Sequence, residues 1–424
     1  MGMTFTDQAR SAEIAWKQTS PLLPADARAP GMYRGLEREF CLPPDYARLN
    51  LLPGAEGALD TFVRAGIPWH DGVAGGPSNH LCSSQVQCVN ALAPFALWPE
   101  ALRDVFGSVL DIATVLPLRD PVALGHYVGF EWIGYDDPLG EWNGLAGTRG
   151  AHNTSADAAM RYVTSQGVEE LALIEWKYTE QYQGSAGLSG SKTSQATRDL
   201  RYKHLFDDST GPLRHDLVPY ADLFVEPVYQ LMRLQLLAWQ FEKAGAAERV
   251  RVVLCAPAAN TEYWASLNRP THRQPGNHDS SDSVTVDDVG TLWRMMQRRP
   301  DRFILFDTAE LVRSDSPTSD DFKARYDHLA NPPDASAPNP YRSQQSRHRE
   351  LVDELRSAVD RTRMILQRVA GDGGVLEQIS EAEELLREAA PADVAELTAR
   401  LNEVGELARR LRADSVPPIL HLSP

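Results

Sequence analysis

An α/β fold, a mixed central sheet flanked by helices, is what this sequence predicts. Three observations point to it. Residues 126–179 hold three short runs with strand character. Residues 227–306 then alternate helical and strand-like periodicity. From about residue 346 only helical spacing remains, so a helical hairpin or short coiled coil should follow the α/β part.

Residues 1–120 read as a helical and irregular region packing on the core. A proline-punctuated segment, Pro21 to Pro53, leads to a helix capped by Ser83 or Ser84 that carries Val86, Val89, Leu92 and Phe95. A second helix is expected from Pro99 or Glu100 to about Thr114, with Leu102, Phe106, Leu110 and Ile112 near helical spacing.

The α/β core should span 121–312. His126–Gly134, Ala156–Thr164 and Leu171–Thr179 are its first three strands, and Gly167 suits a hairpin loop between the last two. Residues 184–216 are polar. Pro227–Ala244 is a helix with Leu231, Leu234, Leu237, Ala238 and Phe241 on one face. Val250–Ala256 reads as a buried strand, Val289–Gln297 as a helix and Phe303–Phe306 as a strand. Residues 313–345, rich in Ser, Asp, Pro and Asn, read as a linker. The helical region 346–413 carries Leu351, Leu355, Val359, Ile365 and Val369, then a seam of Val394, Leu397, Leu401, Val404, Ala408 and Leu411. Residues 414–424 form a tail.

Composition bounds the function. The 424 residues are 42% hydrophobic and 24% charged, ordinary for a chain with a proper core. No apolar run reaches a membrane span, and the first twenty residues lack the apolar region of a secretory signal. Four cysteines without a CxxC pair suit a reducing cytoplasm. The net charge of −16 repels polyanions at long range, so any nucleic-acid site must be a local basic patch. Lysine is scarce, at positions 17, 177, 192, 203, 243 and 323.

One constellation carries chemistry. If 156–164 and 171–179 form a hairpin about Gly167, partner numbers sum to 334 and Asp157 lies opposite Lys177. Asp157, Glu175 and Lys177 then share a face, and a slip of two residues keeps them there. The other face receives Ala158, Met160, Tyr162, Ala172, Ile174 and Trp176. Paired carboxylates repel until a cation joins them. Oxygen ligands at short range suit Mg²⁺ or Mn²⁺. A lysine beside such an ion can orient a water and offset charge on a phosphate. The bland alternative is an exposed cross-strand charge cluster.

The same pieces resemble the PD-(D/E)XK nuclease superfamily, with Asp157 as first acid and Glu175-Trp176-Lys177 as E-x-K. REFCLP (38–43), HLCSSQVQCVN (80–90), RGAHNTSADAAMRY (149–162), LIEWKYTEQY (173–182) and YQLMRLQLLA (229–238) resemble a bacterial family of restriction endonucleases. The likeness runs from about residue 30 to about 260. Ala156 replaces the proline that often precedes the acid. The resemblance implies a restriction-endonuclease-like core. It also implies Asp157, Glu175 and the Trp176 carbonyl as metal ligands, and Lys177 as catalytic lysine.

Glu131, in VGFEWIG, is the expected further acid and metal ligand, with Glu141 a weaker substitute. Gln230 and Gln235, on the helix after the hairpin, are expected to touch substrate. Lys192, Arg198, Arg201 and Lys203 form a basic stretch that could follow a phosphate backbone. Arg294, Arg298, Arg299 and Arg302 form a second cluster. A zinc site from Cys41, His80, Cys82 and Cys88 is disfavoured, because H-x-C-x₅-C matches no standard knuckle.

These readings converge on a Mg²⁺- or Mn²⁺-dependent DNA endonuclease in restriction or anti-phage defence, cytoplasmic and dimeric through its C-terminal helices. The alternatives are a non-catalytic nucleic-acid-binding or scaffold protein on the same fold, and a nuclease of RNA or of branched or modified DNA.

Overall fold

Short apolar runs rich in β-branched and aromatic residues, the central ones buried on both faces, build one six-stranded sheet: β1 (Thr114–Leu116), β2 (Val128–Trp132), β3 (Ala156–Val163), β4 (Glu169–Trp176), β5 (Arg249–Ala256) and β6 (Phe303–Asp307). The order is β6-β5-β4-β3-β1, with β2 also paired to β3. The computed structural model describes residues 3–120, 122, 124–134, 136–142, 149–150, 153–182, 192–267, 271–273, 283–285, 288–331 and helical positions 355, 359, 380, 383, 399, 400 and 402–404.

β4, β5 and β6 run parallel, whereas β3 is antiparallel to β4, β1 and β2. The sheet is therefore mixed, as predicted. β1 pairs with residues 161–163 of β3 and β2 with residues 156–160, so the two short strands share one edge. The β3–β4 hairpin closes through Thr164–Val168, where Gly167 takes φ +80° and donates to the Thr164 carbonyl at 3.0 Å. An L side chain there would be strained, which is why glycine holds that turn position.

The register differs from the expected one. Ala158 faces Ile174 and Met160 faces Ala172, so partners sum to 332. The three-residue loop at 165–167 sets this spacing and slips the pairing by two. Asp157 is thereby level with Glu175, and Lys177 lies one residue beyond the strand.

Helices cover the sheet. α1 (Phe5–Thr19) is capped by Thr4, α2 (Ser84–Leu92) by Ser83, α3 (Val228–Lys243) packs on β5, and α4 (Val289–Met296) is capped by Asp288. The helix expected to reach Thr114 stops at Phe106, ahead of Gly107, and Thr114 opens β1 instead.

The stretch 313–345, expected as a linker, contains α5 (Asp320–Tyr326). Its Arg325 is wholly buried and bonds the Glu13 carboxylate of α1 at 3.0 Å, the Asn50 carbonyl at 2.9 Å and the Leu81 carbonyl at 3.1 Å. Tyr178, just beyond β4, donates to Glu13 at 3.3 Å and meets Nε2 of His328 at 2.8 Å. A polar composition hid this segment because its charge is neutralised by a partner over three hundred residues away.

Two compact units divide the chain: Met1–Gly107 with Ile112–Pro338, and Ser108–Asp111 with Asn339–Pro424. In the second, Leu355, Val359 and Val404 are helical and buried, matching three positions of the expected apolar faces. The expected hairpin or coiled coil otherwise lies outside the described residues. No helix among the described residues is long and apolar enough to cross a membrane.

Candidate active site

Three acids come level on three neighbouring strands. The β3–β4 ladder ends at Ala158–Ile174, so the next residues, Asp157 and Glu175, face each other where the strands open. On the other side, Phe130 pairs with Ala158 and Trp132 with Ala156, which brings Glu131 level with Asp157. Residues directly opposite in antiparallel strands share a face. Glu131 breaks the ladder with φ +44°, a costly conformation for a residue with a side chain, of the kind that concentrates at functional sites.

Specific bonds hold the group. Lys177 Nζ meets Glu175 Oε1 at 2.7 Å, with both side chains less than a tenth exposed. The Lys177 backbone N–H donates to the Cys255 carbonyl at 2.8 Å, continuing the β4–β5 contact past the strand end. Asp157 Oδ2 accepts the Trp176 backbone N–H at 2.6 Å, taking the donor that the ended ladder leaves over. Trp176 points its indole to the opposite face and donates to Gln87 Oε1 at 3.0 Å.

Burial sets the electrostatics. Glu131 is pushed up to about 7 by desolvation and by Glu175, against the pull of Gln85 and Lys177. Asp157 is held well above the carboxylate range by burial, Glu175 and Glu131. Burial works against the Lys177 ammonium, but Glu175 and, more weakly, Asp157 and Glu180 overcome it and hold the proton more firmly than usual. Burial and mutual repulsion thus draw two of the acids toward their neutral forms, and one lysine only partly offsets the cost of ionising the row.

Among the described residues, no three His, Cys, Asp or Glu side chains converge as a ready cation cage. Glu175 is engaged with Lys177, and Glu131 with Gln85. The donor chemistry still fits a hard divalent ion: two facing carboxylates, the intervening Trp176 carbonyl and a third acid on the same level. Such an ion would let the acids ionise together, which burial and mutual repulsion otherwise oppose.

Gln85 is a participant that reading the sequence missed. It sits in the first turn of α2 and donates to Glu131 Oε1 at 2.8 Å, while accepting the His70 backbone N–H at 2.8 Å. The segment HLCSSQ therefore braces the acid row. Glu226 was missed too. It precedes α3, feels both Lys177 and Glu175, is raised by burial, and has no protein partner for Oε2. The HLCSSQ likeness was the only available signal for Gln85, and Glu226 gave none.

The remaining expected residues separate. Glu141 is consumed structurally by the Thr154 backbone N–H, the Thr154 hydroxyl and the Tyr202 hydroxyl. Gln230, near the start of α3, has a buried Oε1 without a protein partner. Gln235 instead lines a groove with Glu248 and Val250. Val250 lies five residues down β5 from Cys255, the partner of Trp176, so roughly 17 Å separates the two regions at about 3.3 Å per residue. Lys192 lies in the helix Lys192–Arg198, and its side chain lies outside the described residues. Arg198 bonds Gln195, Arg201 the Glu141 carbonyl, and Lys203 pairs with Asp207, so this basic stretch is largely engaged within the chain. Cys41, Cys82 and Cys88 are buried, and the His80 ring is wedged against Tyr33 and Phe40.

Fold and site together define a mixed α/β protein with a buried carboxylate–lysine row at the open end of its central hairpin. The family described as Restriction Endonuclease associating with ARP matches residues 10–327, three quarters of the chain, and the chain belongs to it. The expected kinship with restriction endonucleases is thereby met. No curated protein and no solved structure matches the chain.

Proposed function

We propose that this chain is a metal-dependent endonuclease that hydrolyses phosphodiester bonds in DNA. One observation carries the reading: Glu131, Asp157 and Glu175 stand level on three adjacent strands, with Lys177 bonded to Glu175. Family membership supports the nuclease class.

Asp157, Glu175 and the Trp176 carbonyl would hold Mg²⁺ or Mn²⁺, with Glu131 as a further ligand. The ion would neutralise phosphate charge and acidify a bound water. Lys177 keeps its ammonium beside Glu175, where it orients the attacking water and stabilises charge developing on phosphoryl oxygens. Asp157 fixes the Trp176 peptide through its amide, and Gln85 fixes the direction of Glu131. Gln230 and Glu226, at the head of α3, border the same region and would contact the incoming strand or its water. Arg198, Arg201 and Lys203 would meet phosphates once their internal partners yield, and Lys192 would join them. The family's description supports a role in restriction, and through it in anti-phage defence. Cutting both strands calls for two sites, which favours a homodimer acting in the cytoplasm.

The test is plasmid cleavage by the full chain with Mg²⁺, with EDTA, and in Lys177→Ala and Asp157→Ala. Linearisation by wild type and at least 100-fold slower cutting by each variant are expected. Equal nicking by all three would mean contamination. DNA binding without cleavage on unmodified, modified, branched or RNA substrates would replace the nuclease with a scaffold.

A further inference from the structure

The groove that captures Gln235 has its own chemistry. It encloses about 530 Å³, within the roughly 300–1,000 Å³ of small-ligand sites. Its walls come from the end of α3 (Gln235, Trp239, Glu242, Lys243), the start of β5 and the turn after α4 (Gln297, Arg298, Arg299, Arg302).

The groove is rigidly built. The Arg214 N–H donates to the Met296 carbonyl at 2.7 Å and the Arg298 N–H to the Pro212 carbonyl at 2.8 Å, stitching the loop at 210–214 to the end of α4. Glu242 Oε1 accepts from Arg302 at 2.7 Å and from the Val250 N–H at 2.8 Å, which locks helix, strand and turn together.

Two glutamines line this space, and the side-chain oxygen of each is buried without a protein partner. Gln235 and Gln297 are 1% and 3% exposed, and Oε1 of each is unbonded. Gln297 spends its amide N–H on the Trp293 carbonyl at 3.2 Å, which fixes its oxygen as the free end. A buried acceptor without a donor is costly, so a partner with N–H groups belongs there. Beside them, Lys243 Nζ lies 4.4 Å from the ring centre of the half-buried Trp239. Arg298 and Arg299 are exposed at the rim; Arg298 bonds the Leu213 carbonyl and His215, leaving its cation without a carboxylate partner within the described residues.

We propose that this groove binds a nucleotide whose base carries an exocyclic amino group. The base would stack on Trp239 and donate to the two glutamine oxygens, and its phosphate would meet Arg298 and Lys243. Stacking alone accepts any base. The paired acceptors supply the discrimination, since an amino group offers them two N–H donors whereas uracil and thymine offer a single N3–H. The nucleotide is either free or part of a bound strand. Because the groove lies roughly 17 Å along β5 from the acid row, it is a second site, independent of the nuclease reading.

Calorimetry on the full chain in EDTA tests it, titrating AMP, GMP, CMP, UMP, ribose 5-phosphate and a single-stranded oligonucleotide. Saturable binding of an amino-bearing nucleotide is expected, at least tenfold weaker for UMP and in both Trp239→Ala and Arg298→Ala. These variants alter different walls, and thermal melts confirm that each folds. Oligonucleotide binding alone, with the same variant and base dependence, assigns the nucleotide to a bound strand. No binding, binding matched by UMP or by ribose 5-phosphate, or binding unmoved by both variants overturns the proposal. Without a divalent ion present, failed cleavage does not affect this result.

Discussion

Replacing Arg325 by methionine should destabilise the fold in a strongly pH-dependent way. Arg325 and Glu13 are both fully buried, at 3.0 Å. The guanidinium also lies 4.4 Å from the ring centre of Trp16 and donates to Asn50 Oδ1 at 2.7 Å. Glu13 sits at about 7 rather than the ordinary 4.5, because burial outweighs the pull of Arg325. A raised carboxyl favours its protonated form, so this group's stability is complete below pH 4.5 and is lost as pH rises through about 7. That gap corresponds to about 3 kcal/mol at 1.36 kcal/mol per pH unit. Removing the arginine raises the carboxyl further and extends the loss above neutrality. At pH 5.5 Glu13 is largely neutral in both proteins, and Arg325→Met should cost about 1–2 kcal/mol in lost hydrogen bonds. At pH 8.5 an unpaired buried carboxylate should bring the cost to about 3–5 kcal/mol. Urea unfolding at both pH values measures the difference. A loss that is equal at the two, or larger at pH 5.5, refutes the assignment of Glu13 as the titrating partner.

Gln85→Leu should leave the fold intact but unpin Glu131 and slow Mg²⁺-supported plasmid cleavage about 10- to 100-fold, since groups that orient ligands matter on that scale. Unchanged rates would remove Gln85 from the site. Gly134→Ala should lower stability by about 1–3 kcal/mol, seen as a lower thermal midpoint. The residue has φ +81°, and a new Cβ would lie 2.3 Å from the buried Phe241 ring. Ser83→Ala should cost about 1 kcal/mol in urea unfolding, because its hydroxyl accepts the Val86 N–H that opens α2.

The hairpin was legible because residues 156–163 and 169–176 are short, largely apolar runs on either side of a glycine turn. Its face assignment survived a register error of two, since strand side chains repeat every second residue. Lys177 reached the acids from beyond the ladder, through its bond to Glu175, rather than from opposite Asp157. Gln235 lines a groove away from the acid row, which the sequence did not show because helical periodicity places it on a buried face without saying which end of the sheet that face meets. Gln85, Glu226 and Arg325 were illegible for a shared reason: each acts on residues far away in the chain, and nothing local marks a polar side chain whose partner lies across the fold.

The sequence by itself determined which residues could do chemistry, that Asp157 and Glu175 share a face, and where most helices and strands lie. Local periodicity and turn stereochemistry encode those things within a few residues. Only the tertiary structure decided that Glu131 stands level with them, that Gln85 holds it, and that Gln235 belongs to a different groove. Those outcomes depend on how strands and helices close on one another, where buried charges and amides must find partners that sequence spacing does not reveal.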